Sequence, residues 1–426
     1  MSVTKRRLLF GFFLLLFILI GSGIVLYSMG WRINFDNFKI QKTGAISIRT
    51  SPRGVDIKIN NKDYPDTSNI IQSETLITNL LPKTYKVEIS KEGYQPYYKT
   101  TEVESSLVTR FLNVVLLPQK LKINPSILLK GNIFTDITND SKNLLVGNTA
   151  TKAEYLYNLN DASSTLNING ALNNLKKGTK IKKAAILPFN PAQLIIQDQG
   201  GLELFDTKEL TYDNLIKITP IIWNRTGSTL FYIRKSDDPK GGLVLASFDL
   251  VFRNENILTT VPKSINTANL TDIKANGDGT IAFSENNGDL YLYSPNDKST
   301  KKIGDAVKDF SFSPDSKKLA FLDRNGQINI LFLKDFDGDI RKKAGDIIRF
   351  NLEDKDDVQA MEWYKDSYHL FVKFSDGFDF MEIDDRAPLN IYRFLDGNFS
   401  FVYSPDSNLF YFIDNSQLEQ IDFNNL

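Results

Sequence analysis

The chain has 426 residues, with 51 Lys and Arg against 51 Asp and Glu, one histidine and no cysteine. Balanced charge supplies no field to draw nucleic acid, and the lack of cysteine excludes disulfides, zinc-thiolate sites and thiol nucleophiles while leaving the redox compartment open. Thirty Phe and 17 Tyr lean the composition toward pleated surfaces and an all-β fold.

Residues 8–31, LLFGFFLLLFILIGSGIVLYSMGW, carry no charge. As a helix they reach about 36 Å, enough for a hydrocarbon core of about 30 Å. Lys5, Arg6 and Arg7 precede the run, and Tyr27, Trp31 and Arg32 stand where an interfacial belt belongs. The basic cluster predicts a cytoplasmic N-terminus (1–7), one transmembrane helix through the lipid bilayer (8–31), and the rest of the chain outside the cytoplasm. A cleaved signal peptide is the rival reading. The run is longer than the usual signal core of about 7–15 residues, and YSMGWR offers no A-x-A cleavage site.

A linker is expected over 32–43, then a small β-sandwich over 44–119. In GAISIRTSPRGVDIKINNKDY (44–64), Ile46 and Ile48 alternate with Ser47 and Arg49, and Val55, Ile57 and Ile59 alternate after the turn SPRG. Asn60 and Asn61 signal a hairpin, and Tyr85, Val87 and Ile89 mark a further strand. The pattern I-x-I-x-T-x-P-x-G-V-x-I-x-I-N at 46–60, LLPKTYKVEI at 80–89 and KEGYQPY at 91–97 resemble the PEGA domain, with Pro52-Arg53-Gly54-Val55 in the place of its signature. The resemblance implies an extracytoplasmic β-module of bacterial surface proteins and carries no catalytic residue.

From about residue 120 a unit repeats: a strand, a polar turn, an apolar strand, then further strands. Its turns are TNDSKNLL (138–145), PFNPAQLII (188–196), NRTGSTLFYI (224–233), NGDGTIAF (276–283), SPDSKKLAF (313–321), YKDSYHLFV (364–372) and SPDSNLFYF (404–412). Seven turns over residues 120–426 give a period of about 44 residues, the mark of a β-propeller. The uneven spacing leaves six or eight blades open beside seven. The last repeat has three strands, and SILLKG (126–131) is expected to supply the fourth and close the ring. The apolar run after each turn is read as the inner strand, buried between neighbouring blades. The pattern F-S-P-D-S-x-x-L-A-F is similar to TolB-type and WD-repeat propellers, which implies the fold and no particular task.

Chemistry is sparse. His369 is alone, so no Ser-His-Asp triad or histidine metal cluster can form. Asp315, Asp366 and Asp406 read as turn residues. DFDGD (335–339) alternates Asp335, Asp337 and Asp339, but a calcium loop needs glycine sixth and glutamate twelfth, and Asp346 stands twelfth. It and EDKDD (353–357) read as solvated loops; a calcium ion near Asp335–Asp339 is left open. No cofactor or metal is called. The expected function is a membrane-anchored, non-enzymatic binding or scaffold protein of the bacterial cell envelope, its propeller meeting an envelope protein or glycan. The alternative is an extracytoplasmic hydrolase or lyase with carboxylates at the channel mouth, and a sensor is disfavoured by the short stretch before the span.

Overall fold

The computed structural model describes residues 3–34, 38–69, 71–138, 141–187, 189–199, 201–216, 220–238, 241–265, 267–352 and 358–424. The apolar run forms helix α1 (Val3–Ser28), which takes in Lys5, Arg6 and Arg7, and no part of its apolar window is buried against protein. A helix apolar on every side and uncovered is one that a membrane anchor or a signal sequence supplies.

The stretch expected as a linker is instead an antiparallel hairpin, Trp31–Asn34 against Lys39–Lys42, with Ile33 opposite Ile40. Gly30, at φ +84°, turns the chain out of the helix, and the Thr43 amide and hydroxyl both donate to its carbonyl at 2.9 and 3.0 Å. The sequence does carry its signal: Trp31 and Ile33 alternate with Arg32 and Asn34, and Ile40 with Lys39 and Gln41, on either side of the Asp36-Asn37 pair.

The sandwich has a three-stranded sheet, in which Gly44–Ser51 lies between antiparallel Thr75–Leu80 and parallel Val108–Val115. The four-stranded sheet runs Lys62–Tyr64, Asp56–Ile59, Lys83–Ser90, Tyr97–Val103. Ile46, Ile48, Val55, Ile57, Ile59, Tyr85, Val87 and Ile89 share its buried core. Asn60 and Asn61 both adopt positive φ, the geometry a two-residue hairpin turn requires.

Seven four-stranded sheets follow, numbered here as blades in chain order. Blades 1 to 7 begin with the strands Ile133–Ile137, Lys183–Ile186, Ile222–Thr226, Leu270–Ala275, Val307–Phe312, Val358–Trp363 and Ser400–Ser404. Each of the seven quoted turns follows one of these. Blade 7 is completed by Ile123–Leu128, which pairs antiparallel with Gln417–Asp422 in the register Asn124 opposite Gln420. The expected closing strand is therefore present, starting three residues before SILLKG and taking in its first three residues.

The ring also closes through its cores. Separate apolar clusters join blades 1 and 2, 2 and 3, 3 and 4, 4 to 6, 6 and 7, and 7 and 1. The Ser141 and Ser407 hydroxyls meet at 2.6 Å across the last of these seams.

The order of strands within a blade and the uneven repeat length both have a structural cause. The apolar run after each turn is the second strand of its sheet; the innermost is the strand before the turn, and the first strands of blades 1 and 7 meet where Phe134 N donates to Ser400 Oγ at 3.2 Å. The second strand is the more apolar because sheets pack against it on both faces, whereas the innermost strand borders a channel. The uneven repeat length also has a cause: helix α2 (Ile168–Leu175) is inserted between blades 1 and 2, with Asn167 accepting from Gly170 N as its N-cap and Ile168 and Leu172 buried. A further insert in blade 5 forms the small hairpin Phe336–Asp337 with Arg341–Lys342.

Asp66 closes the sandwich's SPRG turn by accepting from the amides of Gly54 and Val55, at 2.9 and 3.2 Å, and from Thr75 Oγ1 at 2.7 Å. Burial pushes its carboxyl up, but hydrogen bonds from Ser68, Thr75 and Val55 outweigh that and hold it at about 2. A depressed carboxylate stabilises the fold above its unfolded value of about 3.9 and loses that contribution as pH falls toward its folded value. Asp66→Asn is expected to cost about 1–2 kcal/mol at pH 7, allowing for partial exposure, and nearly nothing at pH 2. Denaturant unfolding of the wild type and variant at both pH values checks this.

Candidate functional site

The channel is lined by the innermost strands, whose inner edges have no neighbouring strand to pair with. Side chains take over that pairing. Asp136 accepts from Ile137 N at 2.9 Å and from Ile186 N of blade 2 at 2.7 Å, and Arg225 of blade 3 binds the same carboxylate at 2.8 Å. Lys183 Nζ donates to the Trp223 carbonyl at 2.6 Å, and Asn224 Nδ2 to the Ile273 carbonyl at 2.9 Å. Asp309 accepts from Phe310 N at 2.8 Å and from Met361 N of blade 6 at 3.1 Å. Lys308 Nζ reaches the Val358 carbonyl at 2.8 Å.

Local backbone geometry sets these groups in place. The innermost strands of blades 1, 4 and 5 bulge immediately before Asp136, Asp272 and Asp309, and each carboxylate accepts the next residue's amide at 2.8–2.9 Å. The bulge re-aims the side chain toward the adjoining blade. The sequence carries this signal as FTDI (134–137), LTDI (270–273) and VKDF (307–310), with the aspartate in the strand before the turn rather than in the recurring turn itself.

A cluster of charge lies between blades 4 and 6. Lys274 Nζ donates to the Phe310 carbonyl at 2.5 Å and lies 3.4 Å from Asp309 and 3.9 Å from Asp272. Glu362 Oε1 accepts from Trp363 N at 3.0 Å and Ser311 Oγ at 3.2 Å. Burial pushes the Glu362 carboxyl up, and Asp309 adds to this against the pull of Lys274. Burial pulls the Lys274 ammonium down, but Asp309, Asp272 and Glu362 outweigh it and raise the group. Carboxylates do converge in the channel, and they do so around one ammonium and the backbone of the next blade.

A second polar centre joins the sandwich to the propeller. Lys99, fully buried on the strand Tyr97–Val103, donates to the carbonyls of Asp384, Arg386 and Pro388 at 3.0, 2.5 and 3.0 Å and meets Glu382 at 2.6 Å. The loop after the third strand of blade 6 thus wraps the ammonium. Arg386 pairs with Asp384 and stacks its guanidinium 4.1 Å above the Phe111 ring. Asn390 Nδ2 donates to the Tyr98 carbonyl at 3.0 Å, and its Oδ1 accepts from Tyr98 N at 3.1 Å. A cleft of about 310 Å³ opens beside this junction, lined by Arg110, Arg341, Lys342 and Asp385 among others.

The residues singled out by sequence divide by place. Lys5, Arg6 and Arg7 are exposed on α1, and Tyr27 is exposed near its end. Arg32 lays its guanidinium 3.5 Å from the Tyr27 ring centre, donates to the Tyr27 carbonyl at 2.6 Å and reaches Asn79 Oδ1 in the sandwich at 2.6 Å. Lys42 lies 5.7 Å from the Trp31 ring centre. His369 is buried, stacked 4.8 Å from Phe380, with Nδ1 2.6 Å from Asp366. Asp366 also accepts from the amides of Tyr368 and His369, Asp315 accepts from Lys317 N and pairs with Lys318, and Asp406 is exposed in its turn.

The reading of DFDGD as a solvated loop is corrected in part. Asp335 turns to Lys343 and Ala344 N, and Asp337 to Arg341, but Asp339 accepts from Leu112 N and Asn113 N of the sandwich at 2.7 and 3.1 Å. Its carboxyl is pushed up by burial. Among the described residues, no group of three acidic or histidine side chains is placed to hold a metal. EDKDD lies outside the described residues.

A family model for the PEGA domain matches residues 43–118. The fold defines a PEGA domain joined to a seven-bladed β-propeller. No curated protein matches the chain in sequence. Among solved structures, the chain is similar to Kuenenia stuttgartiensis hydrazine synthase (12% identity over 71% of this chain and 98% of that one, TM-score 0.49). It is similar to the Myceliophteria thermophila Cps50 (Swd1) β-propeller domain (9% identity, 71% and 100%, TM-score 0.49). An oligogalacturonate lyase in complex with manganese is similar at 13% identity (72% and 91%, TM-score 0.45). At such identities the likeness concerns fold alone.

Two outcomes follow from the charge placement. Lys99→Met leaves Glu382 buried without its ammonium, while Asp384 keeps Arg386, and is expected to cost about 3–5 kcal/mol. Limited proteolysis should then cut between sandwich and propeller, where the wild type resists. In the channel, Lys274→Met is expected to lower the propeller's melting temperature, whereas Glu362→Gln, which copies the protonated acid that burial favours, should leave it unchanged or raise it at pH 8. Calorimetry on both variants checks the pair.

Proposed function

We propose that this chain is a membrane-anchored binding or scaffold protein of the bacterial cell envelope, holding its propeller outside the cytoplasm as a platform for an envelope protein or glycan. The observation that carries this reading is the continuous polar linkage from helix to propeller. Arg32 ties the end of α1 to Asn79 of the sandwich, and Lys99 ties the sandwich to blade 6. Such links fix the angle at which the propeller is presented. The sandwich is held by the loop between the third and fourth strands of blade 6 and by the Phe336–Lys342 insert at the same position in blade 5. In an antiparallel four-stranded sheet, turns between the second and third strands lie at the opposite end. That opposite face is the one left to a partner.

The hydrolase or lyase reading requires a carboxylate pair free to exchange protons with a substrate. Asp136 and Asp309 each accept two backbone amides, and Glu362 accepts one amide and one hydroxyl, which supports binding over catalysis. Tyr27, Trp31 and Arg32 at the outer interface and Lys5, Arg6 and Arg7 at the inner one fit the anchor.

The absence of cysteine makes single-cysteine labelling clean. With a membrane-impermeant maleimide on intact spheroplasts, Lys301→Cys is expected to label directly and Ser2→Cys only after lysis; the reverse pattern overturns the topology. Asn325→Cys, in the second-to-third-strand turn of blade 5, should give a discrete crosslinked adduct through a benzophenone maleimide in cells. The matching position in blade 6, Ser375→Cys, serves as a second probe of that face, and monomer alone from both sinks the binding reading.

A further inference from the structure

We infer that the hairpin Trp31–Lys42 is a membrane-surface element, seated with its outward face in the interfacial layer of the bilayer; this rests on the anchored reading above. The hairpin is inside out. Its polar side faces protein: Arg32 reaches Asn79 Oδ1 at 2.6 Å, and Asn34 is buried at 8% exposure. The other side of the first strand carries Trp31 and Ile33, and opposite them stand Lys42 and Ile40. Ile33 and Ile40 form a cross-strand pair at 50% and 61% exposure, and Phe38 beside them is at 83%. A two-stranded ribbon standing in water buries its apolar side and exposes its polar one. The opposite arrangement fits an apolar medium on the outside.

Position and charge name that medium. The hairpin starts three residues after α1 ends, so its apolar side continues the uncovered surface of the helix, where Met29 is also exposed. Residues 31–42 contain Arg32, Lys39 and Lys42 against Asp36, a net positive charge suited to anionic headgroups. Lys42 beside the Trp31 ring repeats the aromatic-cation pairing of an interfacial belt. The occupant is thus the lipid surface of the outer leaflet.

The test uses the full-length chain in vesicles of phosphatidylethanolamine and phosphatidylglycerol, with an NBD fluorophore on single cysteines. Ile33→Cys and Ile40→Cys are expected to emit blue-shifted and to be quenched by lipids carrying a nitroxide near the headgroup. Phe17→Cys, at mid-helix, should be quenched by nitroxide deep in the acyl chains, and Lys62→Cys, exposed on the sandwich, by neither. If Phe17→Cys is quenched and positions 33 and 40 match Lys62→Cys, the inference falls and the anchor stands. If Phe17→Cys is unquenched, both fall. Blue-shifted but unquenched emission at 33 and 40 means protein covers the hairpin, a second copy included, and overturns the lipid assignment.

Discussion

Every sheet in this molecule has two edges, and the architecture follows from how each edge is satisfied. Seven sheets in a row would leave exposed strands at both ends and invite edge-to-edge association. Pairing Ile123–Leu128 with Gln417–Asp422 makes the beginning and end of the propeller one sheet, so the ring cannot open without breaking that ladder. The same strand follows directly on the sandwich, whose last strand ends at Val115. Closure therefore also fixes where the sandwich leaves the ring, and that places it against blades 5 and 6.

The inner edges meet the same constraint by different means. Seven strands crowd a narrow axis at angles that prevent backbone pairing between them, so Asp136, Lys183, Asn224, Lys308 and Asp309 each reach a backbone group of the next blade. A charged channel lining is here a consequence of geometry. Charges brought together in this way perturb one another, and Asp309, Asp272 and Glu362 together hold the Lys274 ammonium above its ordinary range despite its burial. Perturbed acids in a cleft often mark catalysis. In this channel burial raises the Glu362 carboxyl and Asp309 adds to it, against the pull of Lys274 and the hydrogen bonds from Trp363 N and Ser311 Oγ.

The repeat was legible because polar turns with fixed chemistry recur: Asp and Ser in SPDS, Gly in NGDG, all answering to turn geometry. The sandwich was legible because both sheets bury one face, so Ile46, Ile48, Ile57 and Ile59 alternate without interruption. Strand order within a blade was not, since an apolar run says that a strand is covered and not which side of it faces the axis. Lys99 could not be found at all. It sits among alternating residues as an ordinary polar strand position, and its carbonyl cage is assembled from residues almost 290 positions away. Long-range polar contacts of this kind leave no periodic trace.

The polar character of the links from helix α1 to the propeller is itself informative. Two domains joined by apolar contact can slide and roll with little change in buried area, because the hydrophobic effect is non-directional. Hydrogen bonds and ion pairs lose their energy within a fraction of an ångström or a few tens of degrees. An ammonium held by three carbonyls and a carboxylate, and a guanidinium bridging a helix end and a sandwich strand, therefore define an angle where a greasy seam would define only a contact. Burying Lys99 carries a desolvation cost that well-packed leucines would avoid. What the polar cage supplies in its place is a directional hold of the sandwich on blade 6.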